Sequence, residues 1–171
     1  MKGQVHVYTG DGKGKTTAAL GLSIRAAGAG LRVFIAQFIK ADEYSEIKAL
    51  KRFSDLITVE QFGLGGFIEG TPSSGDIEAA QKGVARVKEI ISSDTYDVVV
   101  LDEANIAVKF KLFSEQDLLD IIDAKSKNIE LVITGRDAAP KIIEKADLVT
   151  QMNAVKHYFQ NGVEARVGIE K

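Results

Sequence analysis

The chain has 171 residues, 45% of them hydrophobic, and a formal net charge of -2, which is enough for one buried core and predicts a single domain over residues 1–171. The near-neutral balance gives no electrostatic footprint for nucleic acid. With no cysteine and only His6 and His157, disulfides, thiolate metal sites and a zinc centre are excluded. No apolar run approaches the roughly 18 residues of a membrane span and no signal-peptide core is present, so the expectation is a soluble cytoplasmic protein without a membrane partner.

The apolar residues from Val5 to Tyr8 read as a first strand, running directly into Thr9-Gly10-Asp11-Gly12-Lys13-Gly14-Lys15-Thr16-Thr17. A glycine-rich turn between a strand and a helix is a phosphate cradle: its N–H groups converge on an anion and the helix adds the positive end of its dipole. Lys15 is expected to reach the terminal phosphates from outside the core, and Thr16 to ligate the Mg²⁺ that accompanies ATP. In the common spacing of this loop the first glycine would fall on Thr9, whereas here it stands at Gly10, so the phosphate path is expected to differ from that of an ordinary ATPase.

An Ala/Leu-rich helix over 15–27 is stopped by Gly28 and Gly30. A strand over 32–39, a short helix over 45–52 and a strand over 57–62 follow. Residues 63–75 hold five glycines and one proline, and a loop of that length with Phe67-Ile68 at its centre reads as a lid or binding loop. A helix over 76–92 leads to a continuous apolar run that ends in Asp102-Glu103, as a Walker B strand does. Such a run is a strand buried on both faces, and its end is where Mg²⁺ meets a carboxylate. A helix over 114–125 begins with Ser114 as N-cap and acidic residues in its first turn. A strand over 129–134 ends in Thr134-Gly135-Arg136, a proline-led helix covers 140–146, and a sixth strand covers 148–152. Residues 156–169 read as an antiparallel hairpin turning at Asn161-Gly162.

This alternation predicts an α/β fold: a P-loop NTPase-like (RecA-like), mostly parallel sheet flanked by helices, with a C-terminal β-hairpin. Ligands in such sheets bind beyond the carboxyl ends of the strands. Residues 9–16, Lys40, the glycine loop, Asp102-Glu103 and Thr134-Gly135-Arg136 all fall there and can line one cleft.

Residues 9–19, Gln37-Phe38-Ile39-Lys40, Val99-Val100-Leu101-Asp102-Glu103, Ile133-Thr134-Gly135-Arg136, and above all Val155-Lys156-His157-Tyr158-Phe159 with Gly162 and Gly168-Ile169-Glu170, resemble the ATP:corrinoid adenosyltransferases of the CobA/CobO/BtuR type over nearly the whole chain. The displaced glycine is a feature of that family's loop. The resemblance implies transfer of the 5′-deoxyadenosyl group of ATP to the Co(I) of a reduced corrinoid, with Mg²⁺ as cofactor, triphosphate as leaving group, a reductase as a further partner and a homodimer as the assembly. It assigns Lys15, Thr16 and Glu103 to catalysis, Thr16, Asp102 and Glu103 to the metal, and the residues from Thr9 to Thr17 with Arg136 and Phe67 to binding ATP and the corrinoid. An ordinary P-loop ATPase or small-molecule kinase, or a non-catalytic ATP-binding regulatory module, is the alternative.

For several residues a second role stays open. Arg136 holds a phosphate or pairs with a helix-end carboxylate, and Lys40 contacts phosphate or is merely solvated. Arg25 is read first as a surface ion pair and His157 first as a hydrogen-bonded structural residue. Phe38, Phe62, Tyr158 and Phe159 are read as core. Two features depart from the better-known members of that family: their N-terminal extension over the active site has no counterpart before the first strand, and Glu69 stands where their corrinoid loop has Trp.

Overall fold

The computed structural model describes residues 2–66, 68 and 70–171; Phe67 and Glu69, central to the reading of the glycine-rich loop, lie outside the described residues. Six strands, β1 (Val5–Thr9), β2 (Val33–Phe38), β3 (Ile57–Phe62), β4 (Val98–Asp102), β5 (Glu130–Thr134) and β6 (Leu148–Gln151), form one sheet in the order β3-β2-β4-β5-β1-β6. Every pairing in it is parallel. Among the described residues six α-helices accompany them: α1 (Lys15–Gly28), α2 (Ser45–Leu50), α3 (Ser74–Ile91), α4 (Ala104–Lys109), α5 (Glu115–Ala124) and α6 (Pro140–Lys145). Among the described residues no helix is long and apolar enough to cross a membrane.

The continuous apolar runs of the central strands sort by parity, because successive side chains leave a strand on opposite faces. Phe34, Ala36 and Phe38 of β2, Val99 and Leu101 of β4, and Leu131 and Ile133 of β5 face a core shared with α3, α5 and Ile142 of α6. Val33, Ile35, Val98, Val100 and Val132 face the opposite core, under Ala19, Leu20, Ala26 and Ala27 of α1. Both faces are thus covered, as an all-parallel sheet requires.

Local chemistry sets the helix ends. Ser73 and Ser114 each accept a hydrogen bond from the backbone N–H three residues on, and Asp76 and Asp117 return the contact, so α3 and α5 both start with a complete capping box. Gly30, at φ 79°, ends α1 by donating to the Ala27 carbonyl. Gly83, in mid-helix α3, is there for packing: a Cβ would come within 2.7 Å of Phe62 and 2.8 Å of Phe38. Phe38 is fully buried and Phe62 packs on the same core, as the sequence predicted.

Two expectations are corrected. Helix α4 was unforeseen, since it starts directly from Glu103 in the left-handed conformation, at φ 61°. The C-terminal hairpin is not formed. A type I′ turn needs positive φ at both Asn161 and Gly162, and only Gly162 has it, at 77°. Gly162 instead closes a 3₁₀ turn over Tyr158–Asn161 by donating to the Phe159 carbonyl. The flanking segments have no apolar face to bury: Val155, Phe159 and Val167 are 96%, 72% and 79% exposed, so Phe159 is not a core residue. His157 has the structural role expected of it, its Nδ1 accepting from the Phe159 N–H at 3.1 Å.

Candidate active site

Strand β5 separates the loop strand β1 from the carboxylate strand β4, the RecA-like arrangement. All three end on the same side of the sheet. The phosphate loop therefore faces Asp102 and Glu103 across the end of β5, and Thr134, the last residue of that strand, sits between them.

The loop is held in shape from the β6 side. Met152, just beyond β6, donates its N–H to the Thr9 carbonyl at 2.8 Å and accepts from the Gly12 N–H at 2.7 Å. Gly10 has φ 96°, and a Cβ there would lie 2.3 Å from the Met152 carbonyl oxygen. No side chain fits, so the glycine displaced by one position is dictated by the strand next door. Gly14, at φ 123°, turns the chain into α1. Thr9 accepts from the Ala138 N–H through its hydroxyl at 3.2 Å, and Asp11 accepts from the Ala154 N–H at 3.3 Å.

Lys15 departs from expectation. It is buried, only 7% exposed, and its ammonium donates to the Gly10 and Gly12 carbonyls, both at 2.7 Å. Burial lowers its pKa, and Glu103 opposes that shift. Lys13 points the other way. Its ammonium donates to the Tyr158 hydroxyl at 3.0 Å, the Ile169 carbonyl at 2.8 Å and Glu170 at 2.6 Å.

Asp102 is 1% exposed and takes four hydrogen bonds. Its Oδ1 accepts from Thr16 at 2.8 Å and Thr134 at 2.7 Å, and its Oδ2 accepts from Gln37 at 3.1 Å and Lys40 at 2.9 Å. A carboxylate offers about four acceptor positions, and here all are used. Thr16 is oriented with its hydroxyl proton on Asp102. Lys40 is neither solvated nor free; it forms the ion pair with Asp102 and also reaches Thr16 at 3.3 Å.

The aim of Lys40 has a backbone cause. Ile39, a β-branched residue, is held at φ 72°, a conformation costing roughly 1–2 kcal/mol for such a side chain. Gly63 packs against it so closely that a Cβ would meet the Ile39 carbonyl oxygen at 2.1 Å. The strain turns the chain at the end of β2 and delivers Lys40 to the site.

Glu103 is the contrasting carboxylate. Its backbone N–H donates to Thr134 at 3.0 Å, but among the described residues its carboxylate makes no hydrogen bond or ion pair. Burial, followed by the neighbouring Asp102, raises its pKa, while Lys40, Lys15 and Arg136 pull it down. Glu103 is thus an unshared carboxylate, among the described residues, within the field of three cations. Arg136 is exposed at the end of β5, and among the described residues it forms no ion pair.

These residues fit a magnesium ion carried in by a triphosphate. No group of three or more His, Cys, Asp or Glu residues capable of caging a metal occurs among the described residues, and Mg²⁺ typically uses one or two protein oxygens beside phosphates. The Thr16 lone pair that Lys40 does not occupy and the Glu103 carboxylate are the metal ligands left over. Thr134 lies at the cleft, as its place at a strand end predicts, and its contact with Asp102 gives it a role; Gln37, next to the last residue of β2, has no signal of such a role in the sequence. Ile68 is partly buried and packs against the main core.

A family model described as ATP:corrinoid adenosyltransferase BtuR/CobO/CobP matches residues 1–170. The chain is 36% identical over 170 residues to a corrinoid adenosyltransferase of Pseudomonas aeruginosa, covering 99% of this chain and 84% of that protein. It is 34% identical over 172 residues to one from Sinorhizobium sp, covering 99% and 80%, and 32% identical over 170 residues to the corrinoid adenosyltransferase CobA of Salmonella typhimurium, covering 99% and 86%. With the displaced-glycine loop and the paired strand-end carboxylates in place, the chain belongs to the ATP:corrinoid adenosyltransferase family.

Proposed function

We propose that the chain acts as one domain over residues 1–171 that binds ATP at the loop from Thr9 to Thr17 and transfers its 5′-deoxyadenosyl group to the Co(I) of a reduced corrinoid. The cobalt electron pair forms a bond to C5′, the C5′–O bond breaks, and triphosphate leaves with the bonding pair. No proton moves in this step, so no general base is required.

Charge grows on the triphosphate as the bond breaks. The loop N–H groups, Lys15 and Arg136 are the groups able to meet it, and donors aimed at developing charge are worth more in the transition state than before it. Lys15 must give up at least part of its contact with the Gly10 and Gly12 carbonyls to do so. Bound Mg²⁺ would supply further neutralisation of the triphosphate, held by Thr16 and Glu103. Asp102 then serves as the support that orients Thr16, together with Thr134, Gln37 and Lys40, and not as a direct ligand. The observation that carries this assignment is the unequal pair: Asp102 is saturated by four donors, whereas the Glu103 carboxylate has no hydrogen-bond or ion-pair partner among the described residues, although its backbone N–H is anchored on Thr134.

Phe67 is retained as a corrinoid contact on the strength of the resemblance. A homodimer is supported by the open edge of the sheet, where Leu148 and Val149 of β6 are each 42% exposed on a strand with an unpaired side. A separate reductase supplying Co(I) and a cytoplasmic location complete the reading.

Incubation with MgATP and chemically reduced corrinoid tests it. The expected products are a light-sensitive alkyl-cobalt corrinoid and inorganic triphosphate in equal amounts. Orthophosphate without a Co–C bond would instead make the chain an ATPase.

A further inference from the structure

The last residues of the chain do not end freely. From beyond β6 they return past the phosphate loop and reach α2, where the Ser45 hydroxyl donates to the Lys171 carbonyl at 3.1 Å. Between these points lies a compact polar knot centred on Glu170. Its carboxylate accepts from Lys13 at 2.6 Å, from the Tyr158 hydroxyl, and from Arg166 through Nε and Nη2, both at 3.2 Å, while the Arg166 backbone N–H adds a bond at 2.9 Å. The Tyr158 ring has two cations close by, with Lys13 Nζ 5.8 Å and the Arg166 guanidinium 5.0 Å from its centroid. Lys13 is the one member contributed by the phosphate loop, and it commits all three ammonium donors to the tail.

Two consequences follow. A lysine has three donors, so Lys13 in this arrangement has none left for a phosphate oxygen. And the tail is tied at two places, to the loop through Lys13 and to α2 through Ser45. We infer that Glu170 is a positioning residue for the ATP site: through Lys13 it fastens the C-terminal tail across the phosphate loop as a strap, and Lys13 serves ATP as the anchor of that strap instead of as a phosphate ligand. The inference rests on the assignment of ATP to this loop.

An opposite behaviour is physically conceivable for the same contacts, in which the Glu170 carboxylate occupies Lys13 and competes with phosphate. The two differ in sign. If the strap supports the site, removing the Glu170 charge weakens ATP; if it competes, removing the charge tightens ATP.

The experiment is a double-mutant cycle with Lys13→Ala and Glu170→Gln, read by calorimetric titration with MgATP and by hydrogen exchange of the tail amides. Each single variant is expected to bind MgATP about tenfold more weakly and to exchange faster at residues 158–170. The double variant should be no worse than about twofold beyond either single one, because both substitutions break one interaction. Tighter or unchanged MgATP binding in Glu170→Gln, or losses that multiply to about a hundredfold in the double variant, would overturn the inference, the last by making Lys13 an independent phosphate contact. Failure of the underlying site assignment looks different: the unaltered chain would show no heat of binding with MgATP at all.

Discussion

Asp102→Asn tests the centre of the site. The substitution keeps the shape and exchanges one acceptor oxygen for an NH₂ group. Four donors converge on Asp102, two on each oxygen, so in either amide orientation two of them face a donor. With the amide toward Gln37 and Lys40, two N–H groups oppose it. With the amide toward Thr16 and Thr134, each hydroxyl must turn its proton away from residue 102 and accept instead, so Thr16 loses the contact that orients it. Two buried hydrogen bonds left unmade cost about 1–3 kcal/mol each, and Lys40 also loses its counter-charge. Breaking a buried ion pair from one side costs about 3–5 kcal/mol, and because Lys40 is 21% exposed and so can still reach water, the lower end applies, about 3 kcal/mol. For a chain of this size that corresponds to a melting temperature lower by roughly 6–12 °C.

Urea denaturation with an unchanged m-value is the assay, and ATP-dependent turnover should fall about tenfold or more as Thr16 loses its orientation. Adding Lys40→Met to Asp102→Asn should recover at least about 1 kcal/mol by removing the stranded cation. A stability loss below about 1 kcal/mol for Asp102→Asn would show that these four bonds do not form together, and the division of roles between Asp102 and Glu103 would fall with it.

Glu103→Gln should lower activity yet raise stability at neutral pH. The folded-state pKa of Glu103 is raised by burial and by Asp102, so its contribution is fully present below the unfolded value near 4.3 and is lost as pH rises through the folded value. The advantage of the variant should therefore shrink on acidification toward pH ~4, and thermal melts across that range that run parallel would refute it. Lys15→Ala should remain folded but lose about 2–4 kcal/mol of transition-state stabilisation, with activity within about threefold of the unaltered chain counting against any role for Lys15. Gly83→Ala should destabilise by about 1–3 kcal/mol through overpacking against Phe62 and Phe38, although alanine is intrinsically the better helix former by roughly 1 kcal/mol; an increase in melting temperature would show that α3 can lift off the sheet freely.

Much of this protein is written in local chemistry. Strand–loop–helix order around residues 9–17, the apolar run closing on Asp102-Glu103, and the serine-led helices are decided by propensity, periodicity and capping, which act over a few residues and can be read in one dimension. The same is true of the glycine at position 10, whose displacement marks the family before its cause is visible. That cause is tertiary: only the folded sheet places the Met152 carbonyl where a Cβ would collide with it.

Tertiary structure alone also separated the two adjacent carboxylates. Alternation along β4 turns Asp102 into the sheet end, where Thr16, Thr134, Gln37 and Lys40 arrive from three other elements, while the left-handed turn at Glu103 leaves its carboxylate unshared. Nothing in the order of residues 102 and 103 distinguishes them. The C-terminal segment makes the same point from the other direction. Asn161-Gly162 is a good hairpin signal locally, but a hairpin needs a face to bury, and residues 156–171 are instead organised by the distant charge of Lys13. Local pattern decided which elements exist; long-range contacts decided which of their side chains are spent on structure and which remain for chemistry.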